Sequence, residues 1–194
     1  MQEQDNIRKD ILEGTIEVFN EKGLKFTMDD LARKIGKSKK TIYTVYREKD
    51  ELFLAMVDYI FDSIKASEQA VLEDKSLDTL GKIEAIMGVM PESYNAVDFR
   101  ELYTLKERYP KIYAQVQNRL ETGWETTISL IEQGIKEGVV RSDVSIPIIK
   151  MMLEASLEQF FQRDVLIENG ITYSDGLNQV VSIIIDGIRG GESR

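Results

Sequence analysis

TMDDLARKIGKSKKTIYTVYREKDEL, residues 27–52, carries the pattern that decides the fold. Thr27 stands where a helix N-cap is expected, and Asp30 follows three residues later, which predicts a capping box at the start of a short helix. Gly36 ends that helix, and Ser38 is placed to cap another one directly after it. Two short helices joined by a glycine turn are typical of a helix-turn-helix.

Helical periodicity continues on both sides of this stretch. Upstream, an apolar stripe predicts a first helix and consists of Ile7, Ile11, Thr15, Val18 and Phe19. Gly23 is the expected stop of that helix, and Lys49 opens a long fourth helix. Later helices are predicted near 77–89, 95–108, 111–137, 146–167 and 174–189.

These patterns predict an all-α protein of about nine helices. The helix-turn-helix occupies about residues 27–46.

The composition excludes several kinds of chemistry. Among the 194 residues there is no cysteine and no histidine, which excludes disulfides, thiolate or imidazole metal sites, and Cys-His or Ser-His catalysis. Acid pairs at helical spacing, such as Glu154 and Glu158, are typical of a solvated face, and a carboxylate-bridged diiron site would need histidines as well. We therefore expect no enzyme activity, no metal and no cofactor.

The sequence also gives an expectation for the location of the protein. No run of 18 apolar residues occurs, and the N-terminal segment MQEQDNIRKD lacks the apolar stretch of a signal peptide. These features predict a cytoplasmic protein with no membrane partner.

Positive charge is concentrated around the second and third helices. Residues 33–49 contain seven Lys or Arg and one Glu, whereas the whole chain has a formal net charge of −9. A basic face on an acidic protein indicates contact with a polyanion. A simple solvated helix face is the alternative interpretation of the same charges.

The third helix supplies the groups that DNA recognition needs. In a helix-turn-helix the second helix of the pair enters the major groove by its N-terminal end. Lysines and hydroxyl groups at that end can reach phosphates or base edges, and they belong to Lys37, Ser38, Lys39, Lys40, Thr41, Tyr43 and Thr44. Tyr46 is either a core aromatic or a phosphate contact.

This region resembles the N-terminal domain of the TetR/AcrR family of tetracycline-repressor-type transcriptional regulators. The resemblance covers about residues 5–60 and is carried by Phe19, Gly23, Thr27, Leu31, Ala32, Gly36, Ser38, Thr41, Ile42, Tyr43, Tyr46, Lys49 and Leu52. Two positions depart from the usual pattern: Lys40 stands where glycine is frequent, and Tyr46 stands where phenylalanine is usual.

The resemblance implies a three-helix DNA-binding head, residues 1–48, and a larger helical body for ligand binding and dimerisation, residues 49–194. It also favours a repressor, associated with the nucleoid when it binds DNA. We expect a small amphipathic effector to release this repressor from a palindromic operator. The DNA contacts that the resemblance implies are Thr27, Lys39, Lys40, Thr41, Tyr43, Thr44, Tyr46 and Lys49. The best candidates for base edges are Lys39, Lys40 and Thr44. Lys49 by itself is weak evidence for DNA binding, because a lysine at the start of the fourth helix can also be simply solvated.

The last two long helices are too apolar for the surface of a monomer, which predicts a homodimer. The expected interface residues are Met152, Leu153, Leu157, Phe161, Leu177, Val181, Ile184 and Ile188. Packing of both helices within one chain is the alternative. A two-fold dimer would place two recognition helices about 34–36 Å apart, or a multiple of that distance.

An effector pocket is expected in the body, lined by Met87, Met90, Tyr94, Phe99, Tyr103, Trp124 and Phe160. Plain core packing of these side chains is the alternative. For the whole protein, the competing interpretation is a dimeric helical module that binds a ligand or partner without specific operator recognition.

Overall fold

A computed structural model of the protein describes residues 2–89, 108–162 and 165–191. Its first helices are α1 (Gln2–Lys22), α2 (Met28–Lys34), α3 (Lys39–Val45) and α4 (Lys49–Glu73), with a 3₁₀ turn over Gly23–Lys25. Its later helices are α5 (Thr79–Met87), α6 (Pro110–Glu121), α7 (Glu125–Glu137), α8 (Ile146–Gln162), α9 (Val165–Glu168) and α10 (Tyr173–Ile188). The predicted all-α class is confirmed, and the β structure within these residues is a single bridge between Val140 and Arg189.

The chain divides into two compact units. One comprises Met1–Asp62 and Ala96–Gln117, and the other comprises Ser63–Asn95 and Asn118–Arg194. Helix α4 contributes residues to both units. No helix in the described ranges combines the length and the apolarity of a membrane span.

Local hydrogen bonds set the helix ends of the first unit. The Thr27 hydroxyl accepts from the Asp30 backbone N–H at 3.2 Å, while the Asp30 carboxylate accepts from the Thr27 N–H at 2.8 Å. This is the predicted capping box, and it satisfies two donors that the start of α2 would otherwise leave unpaired. Gly36 adopts φ +63°, which a residue with a Cβ rarely does, and it lets the chain leave α2 toward α3.

The core of the first unit is built around Phe53 of α4. Its ring lies 6.1 Å from the Phe19 ring and 5.3 Å from the Phe26 ring, both at the edge-to-face angles that aromatic pairs prefer. Ile11 and Ile42 are fully buried in the same unit, so α1 and α3 each turn one apolar side inward. This packing fixes which side of α3 remains in solvent.

The core of the second unit is formed by α5, α7, α8 and α10. Its buried side chains are Leu80, Ile83, Ile86, Met87, Leu130, Ile131, Val140, Ile149, Leu153, Leu177, Val181, Ile184, Ile185 and Ile188. Gly134 of α7 lies so close to Val140 that a Cβ would be 2.7 Å from a methyl group. That close approach lets the turn after α7 pack onto its own helix.

Some predicted helix boundaries were wrong. The single helix predicted over 111–137 is two helices, because Gly123 adopts φ +81° and breaks the ladder between α6 and α7. Pro110 begins α6, at a position where its missing N–H costs no hydrogen bond. The helix predicted near 95–108 lies largely outside the described residues.

Candidate nucleic-acid interface

Helix α3 is oriented by one inward and one capping residue. Ile42 is fully buried, and the Ser38 hydroxyl accepts from the Thr41 backbone N–H at 3.1 Å. With these contacts made, the side of α3 away from the core presents Lys39, Lys40, Tyr43 and Thr44. Tyr43 is the clearest indication of a binding surface among them, since 46% of this large aromatic residue is exposed to solvent.

The hydroxyls of this surface form a short chain of contacts. Ser38 Oγ and Thr41 Oγ1 lie 2.9 Å apart, and Thr44 Oγ1 donates to the Thr41 carbonyl at 2.6 Å. A hydroxyl oxygen that donates one hydrogen bond can still accept others. The arrangement therefore holds three hydroxyls on the exposed part of α3 in defined positions.

Several lysines of the basic segment, residues 33–49, are ion-paired with acids of α1 and α2. Lys39 Nζ lies 2.9 Å from the Asp29 carboxylate, and Lys37 Nζ lies 3.1 Å from that of Asp10. The contact with Asp29 raises the pKa of Lys39. The sequence-level excess of positive charge is thus partly offset by acids that are distant along the chain.

Lys34 is paired in the same way with α1. Its Nζ lies 2.7 Å from Glu21 and 3.0 Å from Glu17, and the hydrogen bond that it donates to Glu21 is the main reason that the pKa of Lys34 is raised. The positive charge of residues 33–49 is therefore divided between lysines held by acids and other exposed side chains such as Lys40 and Arg47.

A groove of about 620 Å³ opens beside the start of α3 and is lined by Asp29, Ala32, Arg33, Lys37 and Lys39. Sequence reasoning placed Lys37 and Lys39 here but missed Asp29 and Arg33. Asp29 could have been found from the helix geometry. In a helix-turn-helix the first helix crosses the DNA backbone and the second enters the groove by its N-terminal end, so residues at the start of either helix can lie near the nucleic acid.

Tyr46 lies in the core of the first unit rather than on its surface. Only 2% of the residue is exposed, and the Arg8 guanidinium lies 5.8 Å from the ring centroid. Burial raises the pKa of the Tyr46 phenol. Of the two interpretations left open by the sequence, the structure favours the core aromatic.

Lys49 is also turned away from solvent. Its Nζ donates to the carbonyls of Leu24 and Phe26 and lies 4.2 Å from the centroid of the Phe26 ring. The ammonium group thereby satisfies carbonyls of the turn between α1 and α2, which is a structural contact. Two of its three N–H donors are taken by these carbonyls, which leaves one for the predicted DNA contact.

The body residues predicted to line a pocket are only partly described. Met87 is 6% exposed in the core of the second unit, and Trp124 packs against that core while its Nε1–H donates to the Leu120 carbonyl at 2.8 Å. Phe160 stacks edge-to-face on Tyr173 at 5.9 Å. The predicted pocket residues Met90, Tyr94, Phe99 and Tyr103 lie outside the described residues.

The predicted interface residues fall into two groups. Five of them are 2–5% exposed within the chain's own core and so are buried without a partner: Leu153, Leu177, Val181, Ile184 and Ile188. Met152 is 47% exposed, Leu157 is partly buried, and the side chain of Phe161 lies outside the described residues. Sequence reasoning missed three other exposed apolar side chains on α8 and α10, namely Ile148, Met151 and Ile183.

Comparison with known proteins agrees with this arrangement. Residues 11–56 match the model of the bacterial regulatory proteins of the tetR family. The chain is 25% identical over 184 residues to the uncharacterised HTH-type transcriptional regulator YvaF of Bacillus subtilis, covering 95% of this chain and 96% of the other. It is 26% identical over 188 residues to the HTH-type transcriptional repressor AcnR of Corynebacterium efficiens, covering 95% and 93%.

Solved structures share the fold over nearly the whole length. A TetR-family transcriptional regulator from Cytophaga hutchinsonii superimposes with a TM-score of 0.73 at 20% identity, covering 99% of both chains. A TetR transcription regulator from Haloarcula marismortui gives a TM-score of 0.72 at 19% identity, covering 95% of this chain and 99% of the other. Together, these findings show that residues 11–56 match the tetR family of bacterial regulatory proteins and that the chain has the fold of TetR-family transcriptional regulators over nearly its whole length.

Proposed function

We propose that this transcriptional regulator acts as a homodimeric repressor that binds a palindromic operator and is released by a small amphipathic effector. The observation that carries the proposal is the exposed side of α3, where hydroxyls and lysines project while Ile42 holds the helix on the core. The match of residues 11–56 to the tetR family supports DNA binding as the function of that surface.

The contacts that we assign to DNA lie on α3 and its cap. Ser38, Thr41 and Tyr43 offer hydroxyls to phosphates, whereas Lys39, Lys40 and Thr44 are best placed for base edges in the major groove. Thr27 is exposed, and its hydroxyl can meet a flanking phosphate without losing its capping role. Lys37 adds charge at the edge of the same surface, although Asp10 holds it.

Dimerisation is assigned to the exposed sides of α8 and α10. Ile148, Met151 and Met152 on α8 are 47–54% exposed, and Ile183 on α10 is 68% exposed. Large apolar side chains left in solvent at this level are typical of an interface, and a second copy of the chain is the partner that supports a two-fold operator. Two heads in a dimer could then occupy successive half-sites.

We assign effector binding to the body, residues 49–194. Helix α4, at the start of the body, contributes residues to both compact units. A ligand changes operator affinity only if it binds the competent and incompetent states unequally. The chain contains one tryptophan, Trp124, so its fluorescence reports on the body alone. Titration with 1-anilinonaphthalene-8-sulfonate, an amphipathic anion, should quench Trp124 and lower operator affinity together.

Selection of duplexes from a random pool tests the central proposal. The purified protein should enrich an inverted repeat, and log affinity for it should fall linearly with log salt at about −0.9 per neutralised phosphate. Enrichment of no common sequence would reject operator recognition and would favour the module that binds a ligand or partner. Enrichment of a single half-site would reject the dimeric arrangement only.

A further inference from the structure

The carboxylate of Asp29 in the first turn of α2 lies against Lys39 in the first turn of α3. We infer that Asp29 is a specificity-determining residue, which weakens binding to duplex of arbitrary sequence more than binding to the operator. The inference rests on the proposed DNA-binding role of α3 and goes beyond it, because it assigns a function to an exposed acid of α2.

The pair lies at the surface, where DNA can compete for it. Lys39 Nζ is 2.9 Å from Asp29 Oδ2, and the side chains are 46% and 63% exposed. Both residues line the groove beside α3, together with Arg33 and Lys37. An ion pair this exposed adds little to stability, so its position at the interface is the more informative property.

The chemistry of the ammonium group distinguishes the two kinds of DNA contact. A lysine has three N–H donors, so Lys39 can keep one on Asp29 while it offers the others to the neutral acceptors O6 and N7 of guanine. A phosphate is charged, and bringing it to the same ammonium also brings it close to the Asp29 carboxylate. Like-charge repulsion then penalises the phosphate contact and leaves the base contact nearly unaffected.

Other acids of the head are placed differently. Glu17 and Glu21 of α1 both hold Lys34. Among the acidic residues named here, Asp29 is the one that pairs with a lysine assigned to base edges. Its effect on DNA binding should therefore exceed that of another acid of the same head.

The test uses the isosteric variant Asp29→Asn in the full-length protein. Affinity is measured for the duplex enriched by the wild type and for a scrambled duplex of the same length, over a range of salt concentrations. Scrambled-duplex affinity should rise about three- to tenfold, its salt slope should steepen by about 0.9, and operator affinity should change less than twofold. Glu17→Gln removes the same charge while Lys34 keeps Glu21, and it should leave the ratio of the two affinities near that of wild type.

Two further variants separate a specific role from a structural one. In a Lys39→Met background, Asp29→Asn should no longer change the ratio, because the acid acts through the lysine. Asp29→Glu keeps the charge and should retain the wild-type ratio. Thermal unfolding of each variant shows whether the head remains folded.

Three results would each overturn the inference. Asp29→Asn could change the operator and scrambled-duplex affinities equally, Glu17→Gln could change their ratio as much as Asp29→Asn does, or the effect of Asp29→Asn could persist in the Lys39→Met background. Those results leave operator recognition standing, since the wild type would still prefer its selected duplex. A wild type with no preference would instead reject the proposed function, and the inference would fall with it.

Discussion

The Nζ of Lys49 donates a hydrogen bond of 2.8 Å to the carbonyl oxygen of Leu24. The same ammonium donates to the Phe26 carbonyl and lies 5.2 Å from the Phe53 ring centroid. It therefore ties the start of α4 to the turn between α1 and α2. Burial lowers the pKa of Lys49, and the carbonyls compensate for the lost hydration.

Replacing Lys49 by methionine should lower the stability of the protein and leave the salt dependence of DNA binding nearly unchanged. Loss of charged hydrogen bonds to two carbonyls is expected to cost on the order of 1–3 kcal/mol of unfolding free energy. Urea denaturation measures the stability, and duplex titration over a range of salt measures the slope.

The matched control is Lys40→Met, on the exposed side of α3. It should weaken operator binding through the loss of a base-edge contact and leave stability within about 0.5 kcal/mol. If Lys49→Met instead reduced the salt slope by about 0.9 with little loss of stability, then Lys49 would contact a phosphate in the complex.

The two tyrosines of the third helix region should separate DNA binding from folding. Tyr43→Ala should weaken operator binding while leaving stability nearly unchanged, because 46% of Tyr43 is exposed. Tyr46→Ala should destabilise the protein by about 3–5 kcal/mol, as truncation of a buried aromatic does. Thermal unfolding and operator titration of both variants, with Tyr46→Phe as a conservative control, measure the two effects. Loss of operator binding in a fully stable Tyr46→Phe variant would point to a DNA contact of its hydroxyl.

Local physics made the helix-turn-helix predictable from the sequence. The caps at Thr27 and Ser38 depend on residues three positions away, and Gly36 needs only its own backbone conformation. Gly123 could have been found in the same way, since the glycine of the segment TGWE, residues 122–125, is a potential break within a 27-residue helix.

The ion pairs of the basic segment could not be predicted in this way. Lys39 meets an acid ten positions away, and Lys37 meets Asp10 on α1, so both depend on how α1, α2 and α3 pack. Periodicity also shows which helices are apolar, but it does not say which side of α8 or α10 meets a partner. That is why Leu153 was assigned to an interface while Ile183 was not.

Asp30 should make stability depend on pH in the acid range. Hydrogen bonds from Lys22 and from Thr27 hold the pKa of this carboxyl well below its ordinary value of 3.8. A depressed pKa stabilises the folded state above the ordinary value, and this contribution is lost as the pH falls below it. Asp30→Asn should therefore be less stable than wild type at neutral pH, and the difference in unfolding free energy should narrow steadily as the pH falls below about 4.

Denaturant titrations across that range measure the narrowing. Thr27→Ser, which keeps a hydroxyl in the cap, should follow the wild-type profile throughout. A difference between Asp30→Asn and wild type that stays constant with pH would mean that the ionisation of this carboxyl does not account for its stabilising effect.

Ile183 provides the sharpest test of the dimer. It points away from the core of the second unit, while its neighbours Ile184 and Ile185 are 3% and 1% exposed. Ile183→Glu should therefore leave the fold intact but place a carboxylate in the interface, and sedimentation at micromolar concentration should show a shift toward monomer. Ser129→Glu, at an exposed position on α7, introduces the same group elsewhere and should remain dimeric. Because a monomer can occupy one half-site only, Ile183→Glu should lose most of its operator affinity, while its affinity for scrambled duplex changes little. If the Ile183→Glu variant remained dimeric, then the interface would not include this side of α10.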